Sequence, residues 1–187
     1  SSDNFVFGGS FEGQSVNFGS WRGFASDETG NWTSANGIEV WDNLSGNSAS
    51  DGSQFLELDY TKAADAIEQT VSTEAGQVYT LSFDAKARTG STTDTIEVYW
   101  NGEQVSVIDP SSTSWESVDF NVIGTGGDDV LEFREAAGES DSLGAHLDNI
   151  SLVEATSTVA ENVEGASVGM LSAFDPDAGD SVAYTVS

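Results

Sequence analysis

The stretch that decides the fold is residues 96–107, Ile-Glu-Val-Tyr-Trp-Asn-Gly-Glu-Gln-Val-Ser-Val. Two short runs containing β-branched and aromatic residues flank the dipeptide Asn101-Gly102. Asn-Gly favours a type I′ turn, because both central residues of that turn have a positive φ. The stretch therefore predicts a β-hairpin with its turn at Asn101-Gly102.

The same alternation of apolar and polar residues recurs along most of the chain. Side chains alternate between the two faces of a strand, so Leu56, Leu58 and Tyr60 are expected on one face. Glu57 and Asp59 then lie on the other. Further strands are predicted over residues 79–85, 118–122, 131–133 and 145–153.

The last of these strands contains a shift of phase. Its apolar residues occupy odd positions up to Leu147 and even positions from Ile150 onward. A β-bulge at Asp148-Asn149 would produce this shift and turn Asp148 away from the core. About ten strands in roughly 150 residues, with loops rich in Gly and Asp and no convincing helix, predict an all-β jelly-roll β-sandwich.

The pattern of strands breaks at a small polar segment, residues 154–160. We interpret this segment as a linker that follows a domain of residues 1–153. The residues after it, 161–187, are too few for an independent β domain. They are therefore expected to be the truncated start of a second module in a longer chain.

The charge balance excludes two classes of partner. The chain has 187 residues, with 5 Lys and Arg against 32 Asp and Glu, and a formal net charge of −27. A nucleic acid or an anionic membrane surface needs a basic patch, which this composition does not provide. No apolar run approaches the roughly 18 residues of a membrane-spanning helix. We expect no direct membrane insertion and a monomeric module.

Cysteine and histidine usage narrows the chemistry further. The chain has no cysteine and one histidine, His146. Thiol catalysis, disulfides and multi-histidine metal sites are therefore excluded. A chain this acidic can instead bind a hard cation through oxygen ligands, and calcium is the natural candidate. The alternative is that the charge serves only solubility or adaptation to salt.

Five segments of the chain carry a family pattern: residues 9–13 (Gly-Ser-Phe-Glu-Gly), 37–41 (Gly-Ile-Glu-Val-Trp), 50–59 (Ser-Asp-Gly-Ser-Gln-Phe-Leu-Glu-Leu-Asp), 131–134 (Leu-Glu-Phe-Arg) and 141–152 (Asp-Ser-Leu-Gly-Ala-His-Leu-Asp-Asn-Ile-Ser-Leu). In this order and spacing they resemble galactose-binding-like jelly rolls, which include carbohydrate-binding modules and domains of large secreted bacterial adhesins. The resemblance implies a lectin-like, extracellular module that binds glycans at or near a bacterial cell surface.

The C-terminal residues carry a second resemblance. Residues 160–166 and 174–180 resemble the opening strand and the acidic loop of a cadherin-like repeat of bacterial surface proteins. This resemblance implies that Asp175 and Asp177 bind calcium.

In the jelly-roll families a structural calcium ion commonly joins the first and last strands. Carried over to this sequence, the resemblance implies a carbonyl ligand from Ser10, carboxylates from Glu12 and Asp148, and further oxygens from the stretch between Asp51 and Gln54. Calcium needs six to eight oxygen ligands, which flexible acidic loops can supply. The alternative is that Glu12 lies at an exposed strand end and Asp148 binds loop amides.

Sugars bind to exposed aromatic faces flanked by planar polar side chains. We expect Trp100 and Trp115 in the core and consider Trp32 and Trp41 the candidate platforms. The polar candidates are Asp42, Arg134 and Asp141. Arg134 would read hydroxyls or a carboxylate as a bidentate donor, or it would form a structural ion pair with a nearby acid. Asp141 would line the same site or bind a second calcium ion.

Three functions remain open from the sequence. The first is a calcium-stabilised carbohydrate-binding module, and the second is a module that binds a peptide end, with Arg134 on its terminal carboxylate. The third is a calcium-stiffened spacer. We expect no enzymatic activity, because no pair of carboxylates is singled out and the Gly-x-Ser-x-Gly nucleophile motif is absent.

Overall fold

The computed structural model describes residues 3–25, 28, 31–61 and 64–156. Within these ranges the chain forms ten strands and one short 3-10 turn, Leu44–Gly46. The strands are β1 (Ser20–Phe24), β2 (Ile38–Asp42), β3 (Gln54–Glu57), β4 (Ala66–Ser72), β5 (Val78–Lys86), β6 (Ile96–Trp100), β7 (Glu103–Ile108), β8 (Glu116–Ile123), β9 (Asp128–Glu135) and β10 (His146–Glu154).

The strands form two antiparallel sheets. The six-stranded sheet has the order β1-β2-β3-β10-β5-β8, and the four-stranded sheet has the order β4-β9-β6-β7. Apolar residues from both sheets, among them Leu81, Phe83, Ile96 and Phe133, form a core of nearly fully buried side chains. The predicted all-β class is confirmed.

The predicted hairpin is present. β6 and β7 pair as antiparallel neighbours on either side of the turn. Asn101 has a φ of 52° and Gly102 a φ of 78°, as a type I′ turn requires. The sequence signal and the local structure therefore agree at this position.

The predicted bulge in the last strand is also present. The register between β10 and β5 shifts between Asp148 and Ser151, and Asn149 has a φ of 51°. Leu147, Ile150 and Leu152 lie in the core, whereas Asp148 lies outside it. The bulge therefore turns Asp148 away from the core, as the phase shift predicted.

The prediction for Tyr60 is wrong. β3 ends at Glu57, and Leu58 is still in the core, but Asp59 has a φ of 151°. The chain therefore leaves the strand direction before Tyr60. The ring of Tyr60 lies outside the core, with its centroid 6.4 Å from that of Trp21 on β1.

Residues Ser1–Ala155 form one compact unit, which ends inside the predicted linker at residues 154–160. The predicted cadherin-like segment 161–187, with Asp175 and Asp177, lies outside the described residues. Within the described ranges, no helix has the length and apolar character needed to cross a membrane.

Candidate functional site

A row of aromatic side chains crosses the six-stranded sheet on its outer face, the face turned away from the four-stranded sheet. Trp21 of β1 is the register partner of Trp41 of β2, and Trp41 is the register partner of Phe55 of β3. Directly opposed residues project from the same face. Trp41 and Phe55 are buried but do not belong to the core cluster, whereas the neighbouring register pair Val40 and Leu56 does. The outer face therefore has an aromatic strip of its own.

The strip is exposed at the β1 edge of the sheet. Trp21 is 50% exposed, and Tyr60 packs beside it with ring planes at 62°. Gly23 makes room for Tyr60, because a Cβ atom at this position would lie 2.3 Å from the Tyr60 hydroxyl. The two rings together form an accessible aromatic corner.

Arg88 lies over the next ring of the strip. Its guanidinium carbon is 5.0 Å from the centroid of the Trp41 ring. Its Nη1 forms an ion pair with Glu57 and donates a hydrogen bond to the Ser142 carbonyl at 2.9 Å. A cavity of about 240 Å³ beside these groups is lined by Trp41, Ser45, Asn47, Arg88 and Thr89. Aromatic, cationic, amide and hydroxyl groups thus meet in one recess.

Two buried carboxyl groups support this recess from below. Glu39 Oε1 accepts a hydrogen bond from Trp41 Nε1 at 2.6 Å. Burial raises the pKa of Glu39, and burial together with the charge of Glu39 raises the pKa of Glu57 to about 8. The two residues are register partners on β2 and β3, so their carboxyl groups lie on the same face of the sheet. A pair that shares one proton carries a single negative charge, which matches the single positive charge of Arg88.

The opposite end of the strip is covered by residues 43–53, which we name the cover loop. Lys86 Nζ donates to Asn47 Oδ1 at 3.1 Å, and Trp115 Nε1 donates to the Ser48 carbonyl at 2.8 Å. The Lys86 ammonium lies 4.7 Å from the centroid of the Trp115 ring. Burial lowers the pKa of Lys86. Trp115, predicted in the core, therefore lies on the outer face beneath the cover loop.

His146 fills the centre of the strip. Its ring centroid is 4.9 Å from those of both Trp41 and Phe55. It is fully buried, and neither ring nitrogen has a hydrogen-bond partner among the residues that the structure describes. Burial, followed by the nearby charges of Lys86 and Arg88, lowers the pKa of His146 well below its usual value. His146 is therefore a neutral strand residue that packs as a ring.

The predicted calcium ligands meet at the cover loop, but through hydrogen-bond donors. Glu12 Oε1 accepts the backbone N–H groups of Ser53 and Gln54, each at 2.7 Å. Asp148 Oδ2 accepts those of Ser50 and Asp51 at 2.8 and 2.9 Å. A cation needs oxygen lone pairs, and amide donors point at these carboxylates instead. In this arrangement the residues do not fit a calcium ion.

Two further observations concern these ligands. The side-chain oxygen of Gln54 accepts the backbone N–H of Val16 at 2.8 Å. Ser10 is half-buried in the N-terminal segment. Within the described ranges, no three acidic or histidine side chains are grouped as a metal site. The assignment of calcium to Ser10, Glu12, Asp51, Gln54 and Asp148 stays a prediction.

The chain matches no family model. It is similar to a multifunctional-autoprocessing repeats-in-toxin protein of Vibrio vulnificus, with 34% identity over 126 residues. The match covers 64% of this chain and 2% of the toxin, so the chain spans only a small fraction of the relative's length.

Two solved structures share the architecture. The CBM22-1 xylan-binding domain of Paenibacillus barcinonensis Xyn10C has a TM-score of 0.51 at 15% identity, covering 77% of this chain and 100% of that domain. The GH26-CBM35 β-(1,4)-mannanase of Podospora anserina has a TM-score of 0.51 at 15% identity, covering 78% of this chain and 30% of that enzyme. The likeness establishes the fold, and the predicted jelly-roll sandwich is confirmed.

Trp32 is not a ligand platform in this structure. It is 1% exposed and lies between Phe11 and Phe133, with ring centroids 6.1 and 6.2 Å away. Its Nε1 donates to the Gly8 carbonyl at 3.0 Å. The prediction is wrong because the polar loop around Trp32 folds back over the core and inserts this one ring.

Arg134 lies on the wrong sheet to share a groove with Trp41. It projects from β9 in the four-stranded sheet, forms an ion pair with Glu132 at 2.5 Å and lies 3.8 Å over the Tyr99 ring. The structure thus favours the ion-pair interpretation. Asp42 is 8% exposed and binds the side chain of Asn43, so it presents little surface to a ligand.

Asp141 is exposed in the turn between β9 and β10. Its carboxylate accepts hydrogen bonds from the Thr93 hydroxyl and the Leu143 amide, each at 3.0 Å. The next residue, Ser142, binds Arg88. Asp141 therefore lies one residue from a direct contact of the recess.

The sequence interpretation missed Trp21, Tyr60 and Arg88. Trp21 belongs to an edge strand of five residues, and Tyr60 follows a change of chain direction. Arg88 follows β5 and meets Glu57 from β3, although 31 residues separate them in the chain. The only signal in the sequence is the scarcity of bases, which makes any arginine a candidate.

Proposed function

We propose that this domain binds glycans on the outer face of the six-stranded sheet. Trp21 and Tyr60 would stack against the C–H face of a sugar, and Arg88, Asn47 and Ser45 would bind hydroxyl groups of a neighbouring unit. The half-exposed ring of Trp21, the register partner of Trp41 in the recess, carries the proposal. A free aromatic face beside fixed polar groups is the arrangement that sugar binding requires.

The role is proposed to be binding without catalysis. Glycosidases keep their two carboxyl groups at least about 5 Å apart to accommodate the glycosidic bond. Glu39 and Glu57 are 9% and 1% exposed, so neither carboxyl group is open to a sugar. A buried pair in this geometry supports the recess and does not flank a substrate.

The wider setting is also a proposal. We infer that the domain is part of a large secreted or cell-surface bacterial adhesin and attaches it to glycans outside the cell. The similarity to a segment of a repeats-in-toxin protein supports a long, modular bacterial chain. The net charge of −27 is compatible with a neutral glycan as partner.

Trp21→Ala is expected to weaken glycan binding at least tenfold, because it removes the exposed stacking face. The first probes are xylohexaose and mannohexaose, measured by isothermal titration calorimetry after a glycan-array screen. Phe7→Ala is the control, since Phe7 is 65% exposed and hydrogen-bonds through its backbone to Gln69 of the other sheet. Equal binding by both variants and the parent would remove the outer face as the site.

A peptide-end function has one supporting observation, the cation in the recess. Arg88 could bind a terminal carboxylate in the way first expected of Arg134. A peptide array run in parallel separates the two functions, because glycan hits without peptide hits support the proposal. Peptide hits that depend on Arg88, without glycan hits, would replace it.

We also propose that calcium stabilises the domain. Removing calcium with EDTA is expected to lower the melting temperature by several degrees, because a bound ion stabilises only the folded state. Differential scanning fluorimetry measures the shift, with ionic strength matched by NaCl since salt screens the net charge of −27. A melting temperature unchanged by EDTA and by added CaCl2 would contradict calcium stabilisation.

A further inference from the structure

Three buried acids meet at the end of the sandwich where β3 ends, β4 begins and β9 ends. Asp59, Asp65 and Glu135 are 1%, 2% and 4% exposed. The backbone N–H of Glu135 donates to the Asp65 carbonyl at 2.9 Å, and that of Asp65 donates to Glu135 Oε2 at 3.2 Å. Backbone hydrogen bonds thus join Asp65 to Glu135, and the charge of Asp59 acts on both of them.

Two of their oxygens have no hydrogen-bond partner within the described part of the chain. Asp59 Oδ2 accepts three backbone N–H groups, those of Asp141, Ser142 and Leu143, whereas Asp59 Oδ1 accepts none. Glu135 Oε2 accepts hydrogen bonds, including one from the Ser140 hydroxyl at 3.0 Å, whereas Glu135 Oε1 accepts none. Buried carboxylate oxygens are normally satisfied, because an unpaired one costs free energy.

The charge of the group has no counterpart among the described residues. Among the described residues, no lysine or arginine forms an ion pair with Asp59, Asp65 or Glu135. Burial raises the pKa of Asp65, and burial together with the charges of Asp59 and Asp65 raises that of Glu135 to about 7. The charge of Asp59 therefore makes ionisation of Asp65 and Glu135 more costly.

Asp129 shows how the same fold satisfies a buried acid when no ligand is involved. It is 1% exposed, yet both of its oxygens accept hydrogen bonds from Thr73, Asn101 and Thr125. These bonds overcome the effect of burial and lower the pKa of Asp129. Asp59 and Glu135 lack donors for one oxygen each, so their environment differs from that of a structural carboxylate.

We propose that Asp59 and Glu135 bind a divalent cation, most suitably calcium, through their unpartnered oxygens. Carboxylate oxygens are the ligands of hard cations, and calcium completes its shell with water, hydroxyl and carbonyl oxygens. Two carboxylates are consistent with the lack of any group of three such side chains in the described ranges. The site is distinct from the one expected at Glu12 and Asp148.

The ion would tie three parts of the chain together. Asp59 follows β3, Glu135 ends β9, and Asp59 already binds the turn at residues 141–143. That turn supplies the Ser142 carbonyl that holds Arg88. Metal binding itself does not depend on whether the outer face binds glycans.

Isothermal titration calorimetry of the metal-free protein with CaCl2 tests the site. We expect binding in the parent, at least tenfold weaker binding in Glu135→Gln and Asp59→Asn, and affinities within twofold of the parent in the controls Glu12→Gln and Asp148→Asn. Calcium affinity unchanged in both Glu135→Gln and Asp59→Asn would overturn the proposal. So would the absence of heat in the parent up to about 10 mM calcium, beyond the range of extracellular modules.

Crystals of the parent soaked in terbium chloride give a result that does not depend on the folding of a variant. We expect an anomalous difference peak within coordination distance of Asp59 and Glu135. A peak at Glu12 and Asp148 alone, or no peak at all, would contradict the assignment.

Discussion

Arg88→Ala is expected to lower the free energy of unfolding at pH 9, where Glu57 is ionised, by about 3 kcal/mol, the usual cost of removing one partner of a buried ion pair. Glu57 is 1% exposed and would keep its carboxyl group without the guanidinium. The Trp41 ring would also lose the cation that covers it. The loss of stability should be smaller at pH 5, where Glu57 is protonated. Arg88→Ala should also abolish glycan binding. Urea unfolding and calorimetry measure the two effects.

Arg134→Ala is the matched control. Arg134 also pairs with a glutamate and covers an aromatic ring, but its side chain is 41% exposed. Exposed pairs contribute at most about 1 kcal/mol. The control should therefore lose little stability and bind glycans like the parent. Equal losses of stability in Arg88→Ala and Arg134→Ala would contradict the claim that the Arg88 pair contributes more to stability than the exposed Arg134 pair.

Raising the pH from 6.5 to 8 in EDTA is expected to destabilise the protein by about 2 kcal/mol. The pKa of Glu57 is raised to about 8 and that of Glu135 to about 7, both by burial first. In this range the folded state binds more protons than the unfolded state, so the free energy of unfolding falls as the pH rises. Urea titrations at several pH values measure the slope.

At lower pH, His146 acts in the opposite direction on the free energy of unfolding. Its pKa is lowered well below 6.5, so below that pH the folded state binds fewer protons at this residue and stability rises with pH. Glu57→Gln should remove most of the slope between pH 6.5 and 8. A parent protein whose stability rises over this interval would show that Glu57 and Glu135 ionise normally.

Local signals predicted local structure well. Asn101-Gly102 determines its turn through two positive φ angles, and the phase shift at Asp148 follows from the alternation of a single strand. Both features depend on residues within one hairpin or one strand. Sequence alone is sufficient for such features because no distant contact competes with them.

The site depends on contacts between distant parts of the chain. Trp32 lies in a polar loop, but Phe11 and Phe133 enclose it from 21 and 101 residues away. Arg88 and Arg134 both follow apolar strand residues, and only the sheet order places them on different faces. No local pattern distinguishes a buried ring or an ion-paired arginine from a ligand-binding one.

The proposed cation ligands, Asp59 and Glu135, could not be predicted from the sequence either. The sequence offers 32 acidic residues, and none of them is marked by its neighbours as unpartnered. Asp59 and Glu135 become distinctive only when the hydrogen bonds of each oxygen are known. The resemblance directed attention to Glu12 and Asp148, whose oxygens the cover loop already satisfies.

Indole N–H signals in a nitrogen-15 NMR spectrum provide the most direct test of glycan binding on the outer face, since the chain has five tryptophans. On titration with xylohexaose or mannohexaose, whichever binds, the signals of Trp21 and Trp41 should move while those of Trp32 and Trp100 stay in place. Saturable binding that leaves Trp21 and Trp41 unmoved would contradict the account.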